Sequence, residues 1–539
     1  MKTGTRAGVC FAAAARFIRF IIELKGKEYF AFFDILPFSG HTVSRILKKE
    51  RGKTMTETNA AALSEQLTHI FSHDCDFALR ALPLSFGTTV YIASFTNYCD
   101  KKYISEALLR PLLRAKGEKD IPTCLCASRL TRFFSPSDCE KELLAGNAVL
   151  FYDDADELVL LRTDVKSANS RSISEPAGEV VIRGPREGFV ESAETNVALL
   201  RKRLKTKALT VEKMTLGRYT DTDVFLVYLD GRASREVISE VKTRLSKIDL
   251  PSVVDSGYLE QCLGDRKYPH FPDVGNSEKP DKVAAKLIGG RVAVICDGSP
   301  CVLTLPYFFI ESMQSAEDYL KSPYYATFVR LLRFIGFAVA LFLPAVYVAL
   351  LQFDPSAIPH SLYRTIARSR ADIPFTPFSE LLIILIVFEI IREVGVRMPR
   401  AVGDAVSIVA GIILGDAAIK AGIAGAPVIM VAAISATCSF INPPYMNAMP
   451  LVRLVNLFFA RIFGLFGVAF CMLLLLGTLC VKTSCGLPYL LPLAPLRLKG
   501  LSDALVLLPD RALSHNESAV TRARPTERKK FGTKGEKNE

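Results

Sequence analysis

The sequence holds none of the short signatures that announce the commonest soluble chemistries. There is no GxxxxGK[ST] loop to cradle phosphates, no HExxH pair for a catalytic zinc and no GxSxG elbow for a serine nucleophile. Readings that need those residues lack their first requirement. Histidine is scarce, at six in 539 residues, and the six form no acid–base or metal constellation. The thirteen cysteines follow no ligand rhythm, since Cys124 and Cys126 make a lone CxC without a second pair or a nearby histidine. A disulfide framework is unusual in a chain this large with no clear export signal, so the thiols read as small apolar packing residues. No catalytic, metal-binding or cofactor-binding residue is expected.

No clear export signal is read in the first residues. Lys2 and Arg6 precede a short apolar patch, but Arg16 and Arg19 interrupt it, and no apolar run precedes Cys10 to make a lipoprotein signal. Residues 1–54 read either as a basic surface helix or as an extension upstream of a start at Met55, whose MTETNAAALSEQL opens like a capped helix. The net charge of +12 is not laid out as a nucleic-acid face. Much of it lies in the N-terminal segment, near membrane edges and in the tail from Arg522 to Lys537, where no aromatic platform accompanies the basic run. That tail suits a cytoplasmic segment.

Half of the chain is apolar, and that half is unevenly spread. Up to about residue 325 apolar residues interleave with charges as in a soluble α/β protein, and from 331 to 491 they come in long runs. The expected fold is a two-part α/β cytoplasmic N-terminal domain followed by an all-α polytopic membrane domain of four to five helices. The expected divisions are 1–54, 55–170, 171–325, 326–495 and a basic tail 496–539, with SANSRSIS at 167–174 as the linker. Helices are expected over 60–72, 104–113 and 234–247, the last from a serine cap, and strands over 88–93, 148–152, 158–162, 224–229 and 292–297. Pro269, Pro272, Gly275 and Pro280 mark a loop.

Residues 334–353 make a full span, with Pro344 as a kink, and further membrane segments are expected over 405–421, 427–441 and 454–481. The stretch SELLIILIVFEIIREVGVRMPR at 379–400 is imperfect, because its unbroken apolar part is too short to cross and Glu389, Arg392, Glu393 and Arg397 follow. Glu389 can reach Arg392 at i+3 and Glu393 can reach Arg397 at i+4, so the four charges suit a self-paired helix end or a charged collar at a pore mouth. Glu380 and Glu389 lie about 180° apart on a helix and cannot share one face. An even number of crossings keeps the soluble half and the tail on one side.

Gly403, Ser407, Gly411 and Gly415 recur every four residues, a ridge of small side chains that suits either a tightly packed inner helix of a bundle or oligomer, or ordinary packing within the chain. Asp404 and Asp416 flank that ridge, and each can face an ion path or anchor a helix end, Asp416 by pairing with Lys420. Asn442-Pro443-Pro444-Tyr445 breaks the backbone after 441. In the soluble half, Arg183-Gly184-Pro185-Arg186-Glu187-Gly188-Phe189 is a tight turn with two guanidinium groups, able to bind an anion or to be fixed by internal ion pairs.

Read together, these segments resemble the A subunit of the GerA-type spore germinant receptors. The carrying residues are SISEPAGEVVIRGPREGFVESAETNVALLRKRL (172–204), EKPDKVAAKLIGGRVAVICDGSPCVLTLP (278–306), EDYL and FVRLLRF (317–334), PFTPFSELLIILIVFEIIREVGVRMPRAVGDAVSIVAGIILGDAAIKAG (374–422) and SCGLPYLLPLAP (484–495). Within them, Glu191, Asn196, Asp297, Gly298, Ser299 and Pro300 join Arg183 to Phe189 as family motif positions of the soluble half. The chain departs from the family pattern at Lys279, Leu385, Asp404 and Cys485. The resemblance implies a non-enzymatic component of the inner membrane of a bacterial endospore, assembling as a homo-oligomer, with a pentamer as the expected size, around a cation-conducting pore. It implies a companion B subunit that resembles amino-acid transporters and binds the germinant, and a lipoprotein C subunit. A stage V sporulation paralogue acting as an accessory channel shares the same motifs. A secondary transporter is the competing class, although it leads one to expect inverted repeats and more spans.

Overall fold

The computed structural model describes residues 59–507, apart from 116, 118–119, 128–129, 155–156, 166–174, 177, 180–182, 266–270, 399–410, 412 and 497–502. The expected linker at 167–174 lies outside the described residues. Ala60, Leu63 and Leu67 recur at helical spacing, and they form the buried stripe of α1 (Ala60–Ile70). The helical run α2 (101–112) has a wider turn over Ile104–Leu109, and α3 (Asp138–Leu144) follows it. Five antiparallel strands, β1 (Phe77–Pro83), β2 (Thr89–Phe95), β3 (Leu130–Phe133), β4 (Asn147–Asp154) and β5 (Glu157–Asp164), lie in the order β1-β2-β4-β5-β3. The two-residue period sends Val90, Ile92 and Leu150 towards Leu108 and Leu112 of α2. It sends Ala93, Phe95, Val149 and Phe151 to the opposite face, under α1.

The second soluble half repeats that plan. Helices α4 (Ala193–Arg203), α5 (Arg235–Ser246), α6 (Ser256–Leu263) and α7 (Pro280–Ile288) accompany strands β6 (Leu209–Leu216), β7 (Thr222–Leu229), β8 (Gly275–Ser277), β9 (Val292–Cys296) and β10 (Val302–Leu305). Their spatial order β6-β7-β9-β10-β8 again places the third strand at the edge beyond the fifth. Gly275 and Pro280, expected in a loop, instead open β8 and α7, because the fixed φ of proline suits the first helical turn. Ser234 stands at the N-cap of α5, although its side chain makes no capping bond.

A buried ion triad joins the two halves. Arg201 of α4 lies over the Phe95 ring and donates from Nε to Asp76 at 2.7 Å and from Nη2 to Asp74 at 2.9 Å. Asp74 also accepts from the Val211 N–H at 2.8 Å, which welds the approach to β1 onto β6.

The helical half opens with α8 (Pro323–Gln352), 30 residues, long and apolar enough to cross a membrane. Its base is clamped by Asp318. Arg333 donates to both carboxylate oxygens, at 2.6 and 2.9 Å, and Arg330 adds Nε at 3.3 Å while also bonding the Asp503 carbonyl oxygen. Burial pushes the Asp318 carboxyl up, but the Arg333 bonds, the Ser315 N–H and the Arg330 charge outweigh it and hold the group below the ordinary 3.8. Next come α9 (His360–Ser369), α10 (Pro377–Arg397), α11 (described over 411–420) and α12 (Ala426–Ser439).

The apolar run Met449–Val481 is the main departure from expectation. Gly464 has φ +59° and ψ −142°, outside the helical region. Phe459 and Phe470 stack with ring centroids 5.9 Å apart, although eleven residues of straight helix would separate them by about 16 Å. A Cβ on Gly467 would collide with the Phe459 carbonyl oxygen. The run is therefore two antiparallel helices, α13 (449–463) and α14 (465–481), folded at Gly464 with the Phe353 ring against the turn. The segment expected as one helix at 454–481 is therefore divided at Gly464. Hydropathy rises smoothly across such a turn, and the glycine that permits it is itself compatible with an apolar run.

After α14 the chain returns to the second sheet. Lys482, buried, donates to the Phe271 carbonyl oxygen and lies 3.6 Å from Asp273, while Ser484 Oγ donates to the Asp273 carbonyl oxygen at 2.7 Å. Tyr489 donates to the Pro272 carbonyl oxygen at 2.8 Å, and Tyr445, from the proline break, donates to that of Phe309 at 3.1 Å. Cys485 joins the apolar core beside the second sheet.

Candidate functional site

A polar seam runs between apolar helices, and its centre is an arginine. Arg453 sits four residues into α13, almost fully buried. It donates from Nη2 to Glu389 Oε1 of α10 at 2.6 Å and from Nη1 to Ser435 Oγ of α12 at 3.0 Å. Ser435 in turn donates to the Ala340 carbonyl oxygen of α8 at 2.8 Å, and one turn above Arg453 the buried Asn456 donates to that of Leu341 at 3.1 Å. Four helices thus meet on polar contacts. Arg453 Nε and Asn456 Oδ1 are buried without hydrogen-bond partners among the described residues, and buried polar groups in apolar surroundings are costly.

Beside the seam lies a groove of 430 Å³ between α10 and α13, with Leu385, Ile390, Val394 and Leu454 as apolar wall and Glu389, Arg392, Glu393 and Arg453 as charged lining. The expected pairs along α10 form: Arg392 lies 2.7 Å from Glu389, and Arg397 lies 2.7 Å from Glu393. Arg392 also donates to the Met446 carbonyl oxygen at 3.1 Å. Leu385 lines the groove wall and offers no acid there.

Glu380 is absent from this group, as the half-turn offset from Glu389 requires. It is fully buried at the other end of α10, where one oxygen accepts from Arg370 at 2.8 Å and the other from the Gly425 N–H, at the start of α12, at 3.1 Å. A carboxylate there favours the helix dipole and positions α12. Asp416 pairs with Lys420 at 2.6 Å, exposed. Gly403, Asp404 and Ser407 lie outside the described residues. Of the ridge, a Cβ on Gly411 would meet nothing within 4 Å, and one on Gly415 only Ile429, at 3.9 Å.

The soluble motif positions hold the second sheet together. Asn196 bonds both backbone groups of Val190, at 2.8 and 2.6 Å. Asp297 accepts from the Ala193 N–H at 2.9 Å, at the start of α4, and the Gly298 N–H donates to the Glu191 carbonyl oxygen at 2.8 Å. Ser299 Oγ donates to Asp255 at 2.5 Å, and Pro300 follows it into β10. In the turn, Glu187 pairs with Lys202 at 3.1 Å and Arg203 at 2.6 Å, Phe189 and Gly188 are buried, and Arg183, Gly184, Pro185 and Arg186 stay at the surface. Internal ion pairs therefore fix this turn.

Over residues 65–518 the chain matches the model of the Bacillus/Clostridium GerA spore germination protein family. It belongs to that family. It is 36% identical over 473 residues to spore germination protein KA of Bacillus subtilis (strain 168), covering 86% of each chain. To spore germination protein A1 of the same organism it is 34% identical over 433 residues, 79% of this chain and 89% of that one. The crystal structure of the N-terminal domain of the A subunit of the Bacillus megaterium spore germinant receptor GerK3 is similar at 26% identity, with a TM-score of 0.36, over 47% of this chain and 96% of that chain. Family membership accounts for the motif order that the sequence displays. Arg453, at the centre of the seam, is not singled out by the sequence: it lies near the start of a long apolar run, and its partner Glu389 is 64 positions away. The available signal is one of two arginines in that run, Arg453 and Arg461, opposite an α10 glutamate.

Proposed function

We propose that this chain is a germinant-receptor A subunit whose copies assemble into a cation-conducting pore in the inner membrane of a bacterial endospore. Its soluble sheets and basic tail lie on the core side. The observation that carries this reading is the seam from Glu389 through Arg453 and Ser435 to Asn456, in which ionisable and amide groups are held between apolar helices with two buried atoms unsatisfied. The open side of Gly411 supports assembly, because a small residue with no neighbour among the described residues leaves room for the backbone of another copy. The return of residues 482–491 to the sheet from which α8 departs supports an even number of crossings.

In this reading a B subunit resembling amino-acid transporters binds the germinant, a lipoprotein C subunit completes the receptor, and the A-subunit pore opens in response. The oligomer is a pentamer. Glu389, Arg392, Glu393 and Arg397 set the electrostatics of the pore mouth on the core side, and Asp404 and Asp416 flank the packing helix.

Reconstitution of the purified chain into liposomes tests this. Cation flux that Glu389→Gln reduces is expected; saturable solute uptake without ion conductance would overturn the channel reading in favour of a transporter.

A further inference from the structure

The helix α9 joins the end of α8 to the start of α10, at the end of the bundle remote from the sheets. At about 100° per residue, Leu362, Ile366 and Tyr363 fall within an arc of about 100°, with Arg364 and Arg368 on the opposite side. Ile366 is buried against the bundle, whereas Leu362 is 51% and Tyr363 37% exposed. Residues 355–371 contain no acidic residue, and neither Arg364 nor Arg368 has an ion-pair partner among the described residues. Arg370 is the exception, tied to Glu380.

A second observation fixes what surrounds this end. The hairpin turn at Gly464 rests on Phe353, seven residues before α9, and exposes Phe463 and Phe466, the latter by 77%. Its arms of 15 and 17 residues span about 22 and 26 Å, less than the ~30 Å of a hydrocarbon core. The tip also exposes Arg461, three residues before the turn, and this mix of rings and charge suits the boundary between lipid and water at its own level. A helix at that level carrying exposed Leu362 and Tyr363 below and unpaired arginines above matches the water–lipid boundary.

We propose that α9 lies in the plane of the membrane interface, with Leu362 and Tyr363 among the acyl chains and Arg364 and Arg368 on the phosphates of anionic phospholipids. This inference rests on the helical half crossing a membrane, and the test separates the two. The chain contains no tryptophan, so Tyr363→Trp places a single reporter on α9 and Ile434→Trp one at mid-height on α12. Each full-length variant is reconstituted in nanodiscs of phosphatidylcholine, alone or mixed with phosphatidylglycerol, using lipids brominated near the headgroup or near the bilayer centre.

Shallow bromines should quench Tyr363→Trp and deep ones Ile434→Trp. In native mass spectra the Arg364→Gln/Arg368→Gln variant should retain phosphatidylglycerol less well, by about fivefold for each arginine. Quenching at Ile434→Trp with water-exposed emission at Tyr363→Trp would overturn the interfacial placement. Unchanged lipid retention would overturn the headgroup contact. Absence of quenching at both positions would overturn the membrane reading itself.

Discussion

Arg453 Nη2 lies 2.6 Å from Glu389 Oε1, and this contact ties the first arm of the hairpin to α10. Without Arg453, Glu389 still has Arg392 at 2.7 Å, but removing Glu389 leaves the buried Arg453 uncompensated, which costs ~3–5 kcal/mol, whereas replacing both by apolar side chains of similar volume is close to neutral. Glu389→Ala should therefore lower the melting temperature in detergent sharply. Arg453→Met with Glu389→Leu should recover most of that loss while cation flux in liposomes stays abolished. Recovery of both would make the pair a packing element only.

Gly411 offers a separate test of assembly. Because a Cβ there meets nothing within 4 Å among the described residues, Gly411→Leu should leave the protomer folded, and helix propensity alone favours it by under ~1 kcal/mol. Native mass spectrometry should register loss of the oligomer, with an unchanged circular dichroism spectrum. An intact oligomer that conducts normally would place the ridge elsewhere than at the contact between copies.

The hairpin depends on Gly464. Its φ is +59°, and a Cβ added there would lie 2.9 Å from the Phe353 ring. Gly464→Val therefore meets both a left-handed backbone penalty of about 1–2 kcal/mol and a steric clash. Thermal unfolding should occur at lower temperature. Adding Phe353→Ala should restore only part of the loss, since the backbone penalty remains.

The Asp318 clamp sets a pH dependence. Its carboxyl titrates below the ordinary 3.8 in the folded chain, so the unfolded chain binds the proton first as pH falls. The contribution of the clamp is fully present above that ordinary value and is lost as pH falls through the lower folded-state value. Acid unfolding of the native chain should show this loss, and Asp318→Asn should remove that part of the pH dependence while lowering stability at neutral pH.

Much of this architecture is legible in the sequence where local chemistry decides it. The strands β2, β4, β5, β7 and β9 are dense apolar runs, and the pairs Glu389–Arg392, Glu393–Arg397 and Asp416–Lys420 follow from helical spacing alone. β1 and β6 are not legible because half of their residues face solvent and their pattern resembles a loop. The roles of Asn196 and Asp297 escape for another reason. Their motif is plain in the chain, but Asp297 caps a helix 104 positions upstream, a relation only the fold creates. The hairpin and Arg453 share that cause: each depends on what lies opposite in space.

Both feet of the helical half stand on segments next to the second sheet: α8 on Asp318 in the stretch after β10, and α14, through Lys482 and Tyr489, on Phe271 and Pro272 before β8. The bundle is therefore a lever with its fulcrum in the soluble half. A 30-residue helix is about 45 Å long, so a tilt of that sheet by about 5° would sweep the remote end of α8, and the hairpin turn resting on it, through about 4 Å.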